Sequence, residues 1–285
     1  MDVEQRAVIQ IDTEDEDVIV PVHHPWRWFA CLVVLVILAW AAHGLVTDRA
    51  FQWDVVAQYV LSADITLGVL RTLELTVFAM IIGLGLGTVI ALMRLSPNSL
   101  LTGIAWAYTW FFRSIPVLVQ LIFWFNFAAL YQSVSLGIPF GPELLTGQTN
   151  SLITPMSAAL FGLGLSQAAY TAEVIRAGIV AIDPGQTKAA KALGMSTALV
   201  FRRIVLPQAM RLIIPPVGNE VISMIKNTSL VSVLALAELL YSAQLIYSRT
   251  YQTIPLLIVA SLWYLVIVSV LSIGQHFLER RYAHA

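Results

Sequence analysis

The chain contains 285 residues, of which 58% are hydrophobic and only 12% are charged. Soluble domains carry about 25% charged residues, so this composition excludes an ordinary soluble enzyme, a disordered protein and a nucleic-acid-binding protein, which would need a basic surface. The formal net charge is −1, and the single cysteine, Cys31, excludes a disulfide framework and a thiolate metal site. The sequence therefore predicts a polytopic membrane protein.

The N-terminal segment differs in composition from the rest of the chain. Residues 1–20 contain seven acidic side chains and a single arginine, and the first apolar run begins near Trp28. This start is unlike a cleavable signal peptide, and its charge is typical of a solvated, disordered segment. We expect residues 1–25 to form an acidic cytoplasmic tail, and the sequence does not argue for a regulatory contact there.

Six stretches have the length and the apolar composition of a bilayer-spanning helix, which needs about 20 residues. They are residues 28–46, 67–93, 104–130, 155–172, 212–240 and 254–277. The third and fifth are the less plain ones, because they contain charged residues. Between the first two spans, apolar residues recur at helical spacing over residues 51–65, which predicts a short helix lying at the membrane surface.

Basic residues in the loops predict the orientation of the spans. With the N-terminus in the cytoplasm, eleven Lys and Arg residues fall inside, two fall outside (Arg49 and Arg249) and three lie within spans. The reverse orientation would invert this bias, although cytoplasmic loops carry the excess of basic residues in membrane proteins. We therefore expect both termini to be cytoplasmic.

The stretch most unlike a membrane span is residues 173–211, a long basic loop between the fourth and fifth spans. Asp183 followed by Pro184 is typical of a helix start, and Gly194 is typical of a helix end. A second short helix is expected over residues 197–205. The two helices would form a basic knob that could enter a groove on another protein. A surface hairpin that stabilises only this chain is the alternative.

This loop resembles the EAA loop of ABC-importer permeases. The family pattern is E-A-A-x3-G-x9-I-x-L-P, and every spacing of it is present, with Lys188 where the family usually has Glu. Further segments resemble motifs of the polar amino-acid branch, which takes up histidine, glutamate, glutamine, arginine and opines. These segments are residues 112–116 with Gln120 following, 169–173, 215–219 and 226–230. The resemblance covers about residues 62–281.

The resemblance implies an all-α fold. Residues 62–281 would form the five-helix, type I (MetI-like) permease core, to which residues 26–47 add one N-terminal transmembrane helix. The implied function is that of the permease subunit of an ATP-driven importer in the bacterial cytoplasmic membrane. It would pass a polar amino acid, or a related solute such as an opine, inward from an external solute-binding protein.

The resemblance also implies partners. These are a second permease subunit (the same chain or a related paralogue), two ATPase subunits, the external solute-binding protein and membrane lipid, with no nucleic acid. The chain has no G-x4-G-K-[S/T] phosphate-binding loop, so we expect no ATPase site and no cofactor in it. ATP and Mg would be bound by the partner ATPase.

Residues 183–207 are the coupling loop that, by the resemblance, docks into the ATPase. The residues implied in this contact are Lys188, Ala189, Ala190, Leu193, Gly194, Met195, Ile204, Leu206 and Pro207. In the family the acidic residue at the first of these positions is expected near basic groups of the ATPase. Lys188 therefore predicts a partner whose local charge has changed.

Polar residues inside the predicted spans are candidates for the solute path, since an ionisable group there costs at least about 2.5–3.5 kcal/mol. In the fifth span Asn227 returns to the helix face of Glu220, and Pro215 and Pro216 are expected to break or kink the helix before them. The candidates are Glu220, Asn227, Lys226, Asn219, Thr228, Gln167, Tyr170, Arg113 and Gln120. The alternative is that they join subunits or stabilise the kink.

Three smaller expectations concern solute charge and packing. In the related branch the residue at Asn227 is often Asp, so the amide here favours a neutral or zwitterionic solute over a cationic one. Arg71 and Glu74 are spaced to pair on one helix face. The glycines of the second and fourth spans are expected to be close-packing surfaces: Gly83, Gly85, Gly87, Gly162 and Gly164.

Two other classes of protein compete with the importer. A secondary transporter would relay protons through Glu220 or Glu238, but it would have no need of the long basic loop. An intramembrane enzyme would need a nucleophile with a base, and neither a G-x-S-x-G elbow nor a pair of His-bearing spans is present. With five histidines and one cysteine, a metal site is not expected.

Overall fold

The computed structural model describes residues 25–137 and 143–283, and the chain divides into two compact units, Met1–Phe51 and Gln52–Ala285. In the first unit, helix α1 (Pro25–Thr47) is followed by a 3-10 turn at Arg49–Phe51. Its stretch Trp28–Thr47 is long and apolar enough to cross a membrane. Residues 1–24 of the predicted acidic tail lie outside the described residues.

The second unit is mainly helical, with one small hairpin of two strands. Its elements are α2 (Trp53–Tyr59), α3 (Ala63–Arg94), α4 (Ser99–Ser114), α5 (Val117–Phe125), α6 (Phe127–Leu130), β1 (Ser133–Gly137), β2 (Glu143–Gln148), α7 (Thr149–Leu152), α8 (Pro155–Val180), α9 (Pro184–Ala192), α10 (Thr197–Val200), a π-helical turn (Phe201–Val205), α11 (Leu206–Asn227), a 3-10 segment (Thr228–Leu234), α12 (Leu239–Thr250) and α13 (Thr253–Ala283).

The predicted spans correspond to helices of three kinds. Besides α1, two straight helices of the described chain are long and apolar enough to cross a membrane, α3 and α13 over Thr253–Tyr282. Two further candidates are bent: α4 with α5, at 99°, and the helical segment Thr197–Leu234 with α12, at 44°. The fourth predicted span lies in α8, where small and polar side chains lower the hydropathy.

The prediction of one continuous span over residues 104–130 was wrong, because the chain turns sharply between α4 and α5. Pro116 lies at this turn, where a proline disfavours helical backbone in the residue before it. Gln120 stabilises the turn: its Nε2 donates hydrogen bonds to the carbonyls of Phe112 (2.9 Å) and Ile115 (2.8 Å). The carbonyls that helix α4 leaves unpaired at its end thereby gain a donor.

The closest helix packing of the second unit joins α3 to α8. A Cβ atom added to Gly83 would lie 2.4 Å from Cγ of Gln167, and one added to Gly87 would lie 2.8 Å from Cβ of Thr171. Gly162 and Gly164 are in similarly tight contact with the side chains of Leu121 and Ile82, respectively. The packing role predicted for these four glycines is confirmed. It was wrong for Gly85, around which nothing lies within 4 Å.

Two local features of the structure differ from what the sequence predicted. The helix expected over residues 51–65 is shorter, because α2 covers only Trp53–Tyr59 and the residues from Ala63 onward begin α3. The antiparallel hairpin of β1 and β2, which pairs Ser133 with Gln148, was not predicted.

Pro215 and Pro216, which were expected to break or kink the helix, do not break α11. They have no N–H to donate to the carbonyls one turn earlier in the helix. Gln275 of α13 donates a hydrogen bond to the Pro215 carbonyl (2.8 Å), which ties this part of α11 to α13 without replacing the missing backbone bonds.

Candidate functional site

A cluster of three polar side chains joins α8 to α11 inside the second unit. The Glu220 carboxylate accepts a hydrogen bond from Gln167 Nε2 (2.7 Å) and another from Thr171 Oγ1 (2.9 Å). Gln167 Nε2 also donates to Thr171 Oγ1 (3.1 Å). Gln167 and Thr171 are buried and Glu220 is half-buried. We call these three residues the polar cluster.

Both hydrogen bonds to Glu220 end on the same oxygen, Oε2. Within the described chain, its second oxygen, Oε1, accepts no hydrogen bond. An ionised carboxylate has about four lone-pair positions, so this oxygen keeps its capacity for a cationic donor. The sequence predicted Gln167 and Glu220 as polar candidates and missed Thr171, since a threonine within an apolar helix gives no distinct signal.

The other candidates on α11 and beyond it lie apart from the polar cluster. Asn219 and Lys226 are exposed and Asn227 is half-buried, and in the described chain none of the three bonds to Glu220. Thr228 is buried in the 3-10 segment, where its Oγ1 donates to the Ile225 carbonyl (2.6 Å). The structure therefore brings Glu220 together with Gln167 rather than with its neighbours in sequence.

The remaining candidates occupy two other places. Gln120 is buried and holds the turn between α4 and α5, as described above. Arg113 lies over the ring of Tyr170, with its guanidinium carbon 5.4 Å from the ring centroid, a distance typical of a cation–π interaction. Arg113 and Tyr170 line a cavity that contains no residue of the polar cluster.

The second carboxylate considered for a proton-coupled carrier, besides Glu220, is Glu238, which is fully buried. It is the N-cap of α12: its oxygens accept hydrogen bonds from the backbone N–H groups of Leu240 (2.9 Å) and Tyr241 (2.8 Å) and from the Tyr264 hydroxyl (3.1 Å). Capping of this kind satisfies donors that a helix start leaves free. These contacts give Glu238 a structural role.

The coupling loop has the local structure that the sequence predicted. Asp183 caps α9 by accepting a hydrogen bond from the Gly185 N–H (2.7 Å), and Pro184 is the first helical residue. Gly194 ends the turn after α9 with a φ of +83°, a backbone conformation that favours glycine. The second helix differs slightly from the prediction, because α10 continues through the π-helical turn into α11.

The side chains of the coupling loop divide into an exposed and an anchored set. Lys188 and Ala189 are exposed, and Leu193 is 85% exposed. The anchored set is buried or half-buried: Ala190, Met195, Ile204 and Leu206. Gln208 of α11 connects the two parts of the loop, because its Nε2 donates to Gln186 Oε1 (2.6 Å) and to the Ile204 carbonyl (2.8 Å).

Among the described residues, no group of three or more His, Cys, Asp or Glu side chains could hold a metal ion. The fold and these sites define a class of protein. It is a multi-pass helical membrane protein with a polar cluster between two of its helices and a structured loop that presents an exposed apolar side chain.

The comparisons with known proteins agree with this class. Residues 83–284 match the family described as the binding-protein-dependent transport system inner membrane component. The chain is 44% identical over 265 residues to the arginine transport system permease protein ArgU of Corynebacterium glutamicum, covering 92% of this chain and 82% of that protein. It is 40% identical over 201 residues to the nopaline transport system permease protein NocM of Agrobacterium fabrum, covering 70% and 80%.

Solved structures show the same relationship. A crystal structure of an amino acid ABC transporter with histidines has a chain that is 36% identical and superposes with a TM-score of 0.65, covering 76% of this chain and 94% of that one. The MetNI methionine ABC transporter, at 17% identity and a TM-score of 0.56, shares the fold. The present chain belongs to the family of binding-protein-dependent transport system inner membrane components. The resemblance to ABC-importer permeases and the MetI-like fold are thereby confirmed.

Proposed function

We propose that this chain is the permease subunit of an ATP-driven importer of a polar amino acid or an opine, coupled to a separate ATPase through the loop of residues 183–207. The observation that carries the coupling role is the exposed leucine at position 193, next to Gly194 in the EAA-like pattern. Burial of this side chain in a pocket of the partner would remove its apolar surface from water, which is favourable.

We propose that the polar cluster lies on the solute path. Oε1 of Glu220 is available to accept a hydrogen bond from an ammonium or guanidinium group, while Gln167 and Thr171 hold the other oxygen in place. Polar side chains near the middle of a transport protein are where solute sites are found. Asn219, Lys226, Asn227 and Thr228 extend the proposed path along the end of α11 and the segment after it.

Two observations point to different charges for the transported solute. The amide of Asn227 favours a neutral or zwitterionic amino acid, whereas the relative from C. glutamicum is named for arginine. We propose the class that includes both, a polar amino acid whose α-ammonium group contacts Glu220. Competition of unlabelled glutamine and arginine against the transport of either one separates the two cases, and strict selectivity for cationic solutes would refute the argument from Asn227.

The proposed assembly contains a second permease subunit, two ATPase subunits and an external solute-binding protein. The ATPase subunits would bind ATP and Mg, since no phosphate-binding loop is present in this chain. The excess of basic residues in the loops supports an orientation in which both termini and the coupling loop face the cytoplasm. The coupling loop and the ATPase would then lie on the same side of the membrane.

The experiment that tests the proposal is purification of the tagged chain in mild detergent, followed by identification of co-purifying proteins and an ATPase assay. We expect an ATPase subunit to co-purify with the wild type and to be lost from Leu193→Asp. Leu61→Asp is the matched control, because Leu61 is 74% exposed just before α3, on the proposed external side. A chain that purifies alone and takes up solute in a proton-dependent way would refute the importer and favour a secondary carrier.

A further inference from the structure

A cavity of about 390 Å³ lies where the end of α3 meets α4 and α8. Its walls are formed by two arginines, three exposed aromatic side chains and one acid, which are Arg94, Arg113, Trp106, Trp110, Tyr170 and Glu173. The two tryptophan rings are nearly parallel, with their centroids 6.2 Å apart. We call this space the cationic cavity.

The charge balance of the cationic cavity is positive. Its only acid, Glu173, is already paired, because Arg176 donates from Nε (3.0 Å) and from Nη2 to its two oxygens. Arg94 and Arg113 form no ion pair within the described chain. The Nε–H of Arg94 is buried and has no acceptor. The two guanidinium groups therefore share with Arg176 a single carboxylate, that of Glu173, and the cavity keeps a net positive charge.

The guanidinium of Arg113 forms no hydrogen bond within the described chain. Its carbon lies 5.4 Å from the centroid of the Tyr170 ring, and a guanidinium group carries its N–H donors in one plane. These donors form a planar fork that matches two oxygens of a phosphate group. The same donors could bind a carboxylate equally well. The carboxylate of Glu173, however, is bonded to Arg176 and not to Arg113.

Helix α4 contacts the middle of α8 and ends near Arg94, the last residue of α3. Helix α5 packs on the first half of α8, where the rings of Trp124 and Phe161 are 5.6 Å apart, and α4 leaves the direction of α5 by 99°. The Tyr108 hydroxyl of α4 donates to the Leu165 carbonyl of α8 (2.8 Å). Helix α4 therefore runs in a different direction from α5 and contacts the middle of α8.

Helix α4 presents side chains of the kind found at the membrane interface. Trp106 and Trp110 are exposed on the side of α4 that lines the cavity, and tryptophan is enriched at the level of lipid headgroups. Arg94 ends α3 on the side that the basic residues predict to be cytoplasmic. Anionic lipids are concentrated in the cytoplasmic leaflet, and basic side chains near that surface are attracted to them.

We propose that the cationic cavity binds the phosphate group of an anionic phospholipid headgroup, held by the guanidinium groups of Arg94 and Arg113, with the stacked tryptophans beside the glycerol and upper acyl region. The choice of leaflet rests on the orientation given under the proposed function. Phosphate binding itself rests only on the residues of the cavity.

The test uses the full-length chain, with any subunits that co-purify with it, in nanodiscs. Retained lipid is counted by native mass spectrometry after transfer from nanodiscs of phosphatidylcholine with phosphatidylglycerol, or of phosphatidylcholine alone. We expect phosphatidylglycerol to be retained by the wild type, and its affinity to fall about tenfold in Arg113→Gln, because charge-assisted hydrogen bonds are lost. Arg281→Gln is the control, since it removes the same charge from an exposed arginine at the end of α13.

Competition experiments distinguish a lipid headgroup from a free phosphate ion as the bound anion. Retention of phosphatidylglycerol that survives millimolar inorganic phosphate supports a lipid headgroup, and displacement by inorganic phosphate identifies a free-phosphate site and overturns the lipid. Displacement by the transported amino acid assigns the cavity to the solute path and overturns the proposal. Equal loss in Arg113→Gln and Arg281→Gln also overturns it. Arg113→Lys keeps the positive charge but lacks the planar pair of N–H donors, so its affinity for phosphatidylglycerol should lie between those of the wild type and Arg113→Gln.

The outcome is independent of the importer proposal, because retention of lipid needs neither solute nor ATP hydrolysis. Arg94→Gln provides a second variant from a different helix. Should it fail to assemble, the comparison of Arg113→Gln with Arg281→Gln still decides the result, since Arg113 is an exposed side chain whose removal leaves the packing of α4 intact.

Discussion

Replacing Gly83 by Ala should loosen the polar cluster through packing alone. The new Cβ atom would lie 2.4 Å from Cγ and 2.8 Å from Cβ of Gln167, whereas carbon atoms in van der Waals contact are about 3.5–4.0 Å apart. Gln167 must therefore retreat by about 1 Å. Because its Cβ is fixed to the backbone of α8, rotation of the side chain alone cannot relieve the contact, and the two helices must separate.

The expected loss in free energy of unfolding for Gly83→Ala has two contributions. Overpacking of a tight contact costs about 1–3 kcal/mol. Retreat of Gln167 would also stretch its 2.7 Å hydrogen bond to Glu220, and a bond to a charged group contributes about 1.5–3 kcal/mol. We expect a free energy of unfolding that is lower by about 2–4 kcal/mol, together with a loss of transport, when overpacking and the weakened bond are taken together.

The assay is reversible unfolding in mixed micelles of detergent and SDS, with solute uptake measured in proteoliposomes of the assembled transporter. Gly85→Ala is the matched control, since it lies two residues away on the same helix and a Cβ there meets nothing within 4 Å. It should leave both quantities unchanged or raise stability slightly, because alanine is the better helix former. Equal effects of the two substitutions would refute the reasoning.

Three further predictions rest on other contacts. Gly218→Ala should lower the free energy of unfolding by about 0.5–1.5 kcal/mol, because the Gln275 amide must move away from the new Cβ and give up its hydrogen bond to the Pro215 carbonyl; Gly274→Ala, in open space, is the control in the same unfolding titration. Thr171→Val should weaken the polar cluster by about 1–3 kcal/mol and lower uptake, whereas Thr171→Ser should retain both, and a fully active Val variant would contradict the role of the hydroxyl. Lys188→Glu should weaken binding of the ATPase by roughly fivefold, measured by titration against the purified subunit; Lys191→Glu, also exposed, controls for charge, and an unchanged affinity would show that charge pairing at position 188 is irrelevant.

Features governed by local chemistry could be predicted from the sequence. Asp183 and Gly194 mark the two ends of α9 because capping and positive φ depend on the residue itself. The pair of Arg71 and Glu74, which is confirmed at 2.7 Å, depends only on helical spacing. The fold class was predictable for a similar reason, since apolar runs of sufficient length report directly on membrane helices.

Features that depend on neighbouring helices could not be predicted in this way. The sequence around Pro116 is apolar on both sides, so the run reads as one span although the chain bends by 99° there. Thr171 joins the polar cluster only because α11 brings Glu220 beside it. The Pro215 carbonyl accepts a hydrogen bond from Gln275, which lies 60 residues later in the sequence. Each outcome depends on a contact between residues far apart in sequence.

The π-helical turn at Phe201–Val205 joins the coupling loop to α11 without a gap in helical structure from Thr197 to Asn227. Fifteen residues of helix separate Val205 from Glu220, about 22 Å at the rise of an α-helix. A π-helical turn contains one residue more than an α-helical one, so the angular position of the loop relative to Glu220 depends on that extra residue. Deleting one residue there would turn the exposed leucine by about 100° around the axis of α11. The angle around the helix axis between the loop of residues 183–207 and Glu220 therefore depends on the number of residues in this one turn.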